Sequence, residues 1–328
     1  MKKRFKFVVI PIVALTAAFF AGPRPDFEGF DNEPLSLDVE LAELDSYIAS
    51  QEAKVLNIKP DNESEIVWAD SIRQTEYAIV YLHGYSASKG EGEPIHRDLA
   101  KKYGCNLHLP RLFQHGLDDE DAFVELTPKG LVESAKQAIA VGKLLGEKVI
   151  LMSTSTGSTL SIYLAANDSD VRALAMMAPN IELADPNSHL VNNPWGKELL
   201  RTIVGSDYRT WEAPEEARQY WTTKNRIEGL IALRELMDLT MTEETFKQIN
   251  IPVRILAYYK NDEEQDQTVS VPMMETFMEK INTPESQKSL VKFANAGTHP
   301  LGSKYMNEHW KDVEDSIDEF LGMIIDQQ

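Results

Sequence analysis

The chain has 328 residues, of which 43% are hydrophobic and 26% charged. This is the composition of a globular protein; it excludes a disordered, collagen-like or many-span membrane chain, and the length suits one large domain or two small ones. The formal net charge of −19 argues against nucleic acid as a partner, which would need a basic face to displace phosphate counterions. The single cysteine, Cys105, excludes an internal disulfide and Cys-rich zinc motifs.

In chain order, Lys2, Lys3, Arg4 and Lys6 precede an apolar run from Phe7 to Ala21, which Gly22-Pro23-Arg24-Pro25 breaks. A basic start and a short apolar run form the pattern of a secretory signal, and an uncleaved anchor has the same pattern. The run is short for a free-standing transmembrane helix, which needs ~20 residues. Residues 1–30 are therefore expected to be a signal peptide or membrane anchor outside the fold. Export, or attachment to a membrane through residues 1–21, would place the protein on the periplasmic or extracellular side. Residues 31–64 read as an acidic N-terminal extension. Within it, Leu37, Leu41, Leu44 and Ile48 form the stripe of an amphipathic helix.

Residues 65–328 read as one domain of alternating strands and helices. Short apolar runs predict strands at 78–82, 106–109, 149–152, 171–177, 253–258 and 290–293. Helical periodicity predicts helices at 129–145, with Gly146 as a stop, and at 156–166, 271–281 and 313–325. Such alternation predicts a mostly parallel sheet with helices on both faces. Residues 181–250 depart from it. They show no clear strand, are rich in Trp, Pro and helix formers, and are far longer than the usual connection of about 4–6 residues. They predict an inserted helical lid. Its Trp195, Trp211, Trp221, Tyr208 and Tyr220 would pack the lid onto the sheet or line an apolar pocket. The acidic run from Asp118 to Asp121 lacks the glycine and ligand spacing of a calcium loop and reads as solvated.

The chemistry is expected at three strand ends. The run Val149-Ile-Leu-Met-Ser153-Thr154-Ser155-Thr156-Gly157 takes a buried strand through a small-residue turn directly into a helix. That is the setting of the nucleophile elbow G-x-S-x-G, in which the serine stands at the tip of the turn. Gly157 sets the register and makes Ser155 the candidate nucleophile. Ser153 replaces the first glycine, a position that calls for a small residue. The competing reading is a Ser/Thr-rich cap before an ordinary helix. A second turn, His83-Gly84-Tyr85-Ser86, follows an earlier strand. The backbone N–H groups of Tyr85 and Thr156 are candidate donors to an oxyanion, and Tyr85 also offers its hydroxyl. A serine nucleophile needs a base, and the base an orienting acid. Of seven histidines, His299 alone follows the last strand in a loop and suits the order Ser, acid, His. The loop after the strand at 253–258 offers four carboxylates, Asp262, Glu263, Glu264 and Asp266. Asp266, just before the apolar Val269 and Val271, is favoured as the acid over Asp262.

In that order, and each after a strand, His83-Gly84, Ser155 in S-T-S-T-G, Asp266 in D-Q-T-V and His299 in G-T-H resemble the α/β-hydrolase superfamily over roughly residues 65–328. Within it the chain is similar to bacterial carboxylesterases and monoacylglycerol-lipase-like serine hydrolases. These commonly carry a segment like Leu107-His-Leu-Pro110-Arg111-Leu112 followed by His115-Gly116. The resemblance implies the α/β-hydrolase fold and a lipase- or esterase-type serine hydrolase acting on small acyl esters through an acyl-enzyme. Ser155 would be the nucleophile, His299 the base and Asp266 its orienting acid, with Tyr85 and Thr156 at the oxyanion. No metal or organic cofactor is implied. A peptidase or thioesterase on the same scaffold, and a non-catalytic binding protein that kept the fold, are the alternatives, since fold does not decide among them.

Overall fold

The computed structural model describes residues 16–326. Residues 1–15, which hold the basic start and most of the apolar run of the expected targeting segment, lie outside the described residues. Among the described residues no helix is long and apolar enough to cross a membrane.

The strands in chain order are β1 (Glu65–Val67), β2 (Thr75–Leu82), β3 (Asn106–Leu109), β4 (Gly146–Thr154), β5 (Val171–Met177), β6 (Tyr208–Thr210), β7 (Lys224–Arg226), β8 (Val253–Tyr258) and β9 (Lys288–Phe293). Seven of them form one sheet in the order β1-β3-β2-β4-β5-β8-β9. β1 runs antiparallel to β3, and every other pairing in this sheet is parallel. β2, β4 and β5 are apolar on both sides because both faces are covered: Ile79, Val80, Ile150, Leu151, Leu174 and Met176 are all fully buried. Burial of each such side chain contributes about 1.5–3 kcal/mol before chain entropy is set against it. The outer strand β9 is only half-buried, and Lys288 and Lys292 give its edge the charge that discourages further pairing.

Among the described residues from 41 on, the α-helices are α1 (Leu44–Glu52), α2 (Ile95–Lys102), α3 (Pro128–Leu145), α4 (Thr156–Ala165), α5 (Gly196–Val204), α6 (Ile227–Thr240), α7 (Glu243–Gln248), α8 (Val271–Lys280) and α9 (Trp310–Ile325). From β2 the chain steps outward through α2 to β3. It then returns through α3 across β2 to β4. Parallel crossovers are right-handed, so opposite steps put α2 and α3 on opposite faces. α9 joins α2, tied by Lys102 and Tyr103 to Asp318, while α4 packs on α3. The reversal has a functional consequence. The C-terminal ends of β2 and β4 become neighbours from which the chain departs to opposite faces, leaving a crevice between them.

Two expectations about local structure are corrected. Gly146 ends α3, but in an extended conformation (φ −143°) that opens β4 directly, so β4 starts three residues before its apolar run. Residues 181–250 are an insertion between β5 and β8, but not an all-helical one. Besides α5, α6 and α7 they contain the antiparallel hairpin β6–β7. Its residues are Tyr, Arg, Thr, Lys and Asn, so it carries no apolar alternation. It is held instead by Lys224 and Arg226 stacked on the Tyr208 ring.

The segment expected to lie outside the fold is partly fastened to it. Phe27 and Phe30 pack on the main core, Phe30 edge-on to Tyr163, and Asp31 pairs with Lys136. In the extension, Leu44 is buried with Leu37, Leu41 and Ile48 around it.

Candidate active site

β4 delivers Ser155 to the crevice. The serine sits at φ 50°, ψ −116°, a strained conformation that costs of order 1–3 kcal/mol and persists only when its surroundings impose it. Here they do. The Ser155 N–H donates to Met177 O at 3.0 Å, and its carbonyl accepts from the N–H groups of Ser158 (2.9 Å) and Asn180 (3.1 Å). α4 then leaves at once. It passes so close to β2 that a Cβ on Gly157 would lie 2.0 Å from Leu82 O, which is why this position must be glycine. Ser153, where the pattern has a glycine, points into a fully buried site and hydrogen-bonds Ser158 Oγ at 3.0 Å. The departure is thus absorbed by a partner hydroxyl one turn into α4.

The structure brings Ser155, His299 and Asp266 together. His299 Nε2 lies 2.9 Å from Ser155 Oγ, and its Nδ1 lies 2.7 Å from Asp266 Oδ2. The other carboxylate oxygen, Oδ1, accepts from the N–H groups of Thr268 (2.8 Å) and Val269 (3.1 Å), which fixes the carboxylate's orientation. Burial works against charge on both partners, yet their mutual attraction prevails. Asp266 is held below its ordinary pKa by His299 and these N–H donors. His299 is held above its own by Asp266 and, further off, Glu91. Asp262 is elsewhere: it is exposed and accepts from the Tyr259 hydroxyl.

The turn after β2 lies against Ser155. A Cβ on Gly84 would be 3.2 Å from Ser155 Cβ. Among the described residues, neither the Tyr85 nor the Thr156 N–H has an acceptor, so both are free to serve an incoming oxygen. The Tyr85 hydroxyl is not. It donates to Asn225 Oδ1 at 3.1 Å, which corrects the expectation that it could join the oxyanion donors. His83 braces the turn from inside. Its Nδ1–H donates to Gly84 O at 3.0 Å, and its Nε2 accepts the Leu112 N–H at 3.2 Å. Burial pushes its pKa down to about 4, so it stays neutral in this role.

Sequence reasoning missed Glu91. Its carboxylate is buried behind the turn and accepts the Gly84 N–H at 2.6 Å and the Tyr81 hydroxyl at 3.2 Å. Tyr81 in turn contacts Thr154 Oγ1 at 2.9 Å. Burial pushes the Glu91 pKa up to about 7, against the Gly84 N–H and the nearby His299. Glu91 thus sits between β2 and the site, tying the turn after β2 to β4. The available signal was Gly90-Glu91-Gly92. Cβ atoms on these glycines would collide with Tyr220 and with Tyr81 and His96, so the segment is pressed into the interior.

No family model matches this chain, and no curated protein does. Solved structures do. A structure from work on LipS and LipT, metagenome-derived lipolytic enzymes, superimposes with a TM-score of 0.62 at 15% identity, over 81% of this chain and 99% of its own. The chain has the α/β-hydrolase fold. Est1E from Butyrivibrio proteoclasticus, with ferulic acid bound, is similar at a TM-score of 0.55 and 15% identity, over 83% of this chain and 100% of its own. The monoacylglycerol lipase of Paleococcus ferrophilus is similar at 0.57 and 13%, over 79% and 97%. In this fold the crevice at the C-terminal ends of the strands is where ligands are expected, and Ser155, His299 and Asp266 lie there.

Proposed function

We propose that the protein is a serine hydrolase of the lipase/esterase type that cleaves small carboxylic esters through an acyl-enzyme. The observation that carries this reading is the continuous hydrogen-bonded path from Ser155 Oγ through His299 to Asp266. Asp266 keeps the Nδ1 proton of His299 toward itself, so the Nε2 lone pair faces Ser155. Ser155 Oγ attacks the ester carbonyl carbon while its proton passes to Nε2. The oxyanion forms against the Tyr85 and Thr156 N–H groups, each such donor lowering the barrier by about 2.7–4 kcal/mol. His299 then returns the proton to the departing alcohol oxygen, and the C–O bond breaks. Water repeats the sequence and frees the acid and Ser155. The names of the similar structures, lipolytic enzymes and a monoacylglycerol lipase, support an ester over an amide or thioester.

The test is labelling of the full chain with a fluorophosphonate probe, with Ser155→Ala as control. Labelling at Ser155 alone, together with turnover of a short-chain ester, is the expected result. A folded protein that takes no label, or takes it elsewhere, overturns the reading. Export or anchoring through residues 1–21 belongs to the same proposal on the sequence pattern alone, and cell fractionation tests it.

A further inference from the structure

The hairpin β6–β7 brings a second charge to the site. Arg209 and Asn225 are directly opposed in its register, and opposed residues of an antiparallel pair project from the same face. Asn225 reaches the Tyr85 hydroxyl from that face, so Arg209 also projects toward the turn that carries the oxyanion donor. The alternate residues, Tyr208, Lys224 and Arg226, gather on the other face, where both cations stack on the Tyr208 ring. Arg209 is half-buried. Among the described residues its side chain has no hydrogen bond or ion pair, whereas Arg201, Arg226 and Arg234 of the same insertion pair with Asp207, Glu228 and Glu182. Among the charges near His299, whose pKa Asp266 holds up overall, Arg209 is the one that opposes protonation, which puts the guanidinium within electrostatic reach of that ring. A partly desolvated guanidinium without an anion is unfavourable, and a carboxylate or phosphate would satisfy it in bidentate fashion.

We propose that the site takes esters bearing a negative charge, a carboxylate or phosphate, which Arg209 recognises. This rests on the ester-hydrolase reading above. The bound anion would pair with Arg209 on the inner face of the hairpin and hold the ester carbonyl between Ser155 and the Tyr85 N–H.

The test uses matched esters on the full chain. Monoethyl succinate against ethyl butyrate places the charge on the acyl side. Monobutyrylglycerol phosphate against monobutyrylglycerol places it on the alcohol side. Wild type is expected to prefer the anionic member of at least one pair, and the preferred pair tells which side carries the charge. Arg209→Gln is expected to lower kcat/KM for that anionic ester by about 10- to 100-fold, the worth of a charged hydrogen bond. The neutral ester, changed by less than about 3-fold, reports that the fold and triad are intact. Arg209→Lys should recover part of the loss, since it keeps the charge without the fork. Preference for the neutral member in both pairs, or an equal loss on both members in Arg209→Gln, overturns the proposal. If wild type cleaves none of the four, the hydrolase reading fails separately. Calorimetric binding of the same uncleaved esters then decides the matter. Tighter binding of an anionic member that Arg209→Gln abolishes supports the proposal, and its absence overturns it.

Discussion

Replacing Glu91 by Gln tests whether the buried carboxylate behind the oxyanion turn titrates with the site. The variant keeps an oxygen that can accept the Gly84 N–H but removes the charge. In the folded protein the Glu91 pKa lies at about 7, against 4.5 for the free side chain. A carboxyl whose folded pKa is raised supports the fold fully only below its unfolded pKa. That support is lost as pH rises through the folded value. For this pair of values, stability should fall by about 2 kcal/mol from about pH 5.5 to about pH 8.5 through Glu91 alone. Urea unfolding of wild type and Glu91→Gln at both pH values should show that fall in wild type only, after subtraction of what the two share. Glu91 also helps to raise the His299 pKa. The acid limb of kcat/KM, where His299 becomes protonated and useless as a base, should therefore move to lower pH in the variant. Identical pH dependence of stability in the two proteins, with an unmoved acid limb, would refute the reasoning. Glu91→Ala is the harsher change. It leaves the Gly84 N–H buried without an acceptor, at a cost of about 1–3 kcal/mol, and should lower kcat more than Gln does.

Asp266→Asn should lower kcat by about ten-thousand-fold, because the amide no longer holds the useful tautomer of His299, and should also lower the unfolding temperature, because the attraction that holds the Asp266 pKa down is lost. Asp262→Asn should change kcat by less than about twofold, and steady-state kinetics on one ester compare the two. Gly157→Ala must push α4 away from Leu82 O; overpacking of this kind costs about 1–3 kcal/mol, so a lowered Tm together with loss of fluorophosphonate labelling is expected. Ser153→Gly restores the usual small residue but deprives buried Ser158 of its hydroxyl partner, so a loss of about 1 kcal/mol in urea unfolding is expected, with Ser155 still labelled.

Much of the central sheet was legible because its strands are buried on both faces and so read as unbroken apolar runs. The runs at 106–109, 171–177 and 253–258 coincide with β3, β5 and β8. β1 and the hairpin β6–β7 were not legible. Each strand is three residues long and is held by pairing and stacking with distant residues rather than by a pattern of its own. Ser155 was marked by its context of strand, small turn and Gly157, all local in the chain. In the sequence the four loop carboxylates are chemically alike, and only the following apolar Val269 and Val271 favour Asp266. The geometry separates them: Asp266 faces His299 and two backbone N–H donors, while Asp262 faces solvent.

What the sequence determined by itself is therefore the alternation of elements and the order of the chemical groups, since both are written in short stretches of neighbouring residues. What only the tertiary structure decided is which groups meet. Glu91 accepts the Gly84 N–H from behind the turn, and Asn225 takes the Tyr85 hydroxyl from 140 residues away. Such contacts are set by the reversal of strand order at β2 and β4 and by where the insertion between β5 and β8 packs. Neither has any local signature, because each is a property of how the sheet closes the chain upon itself.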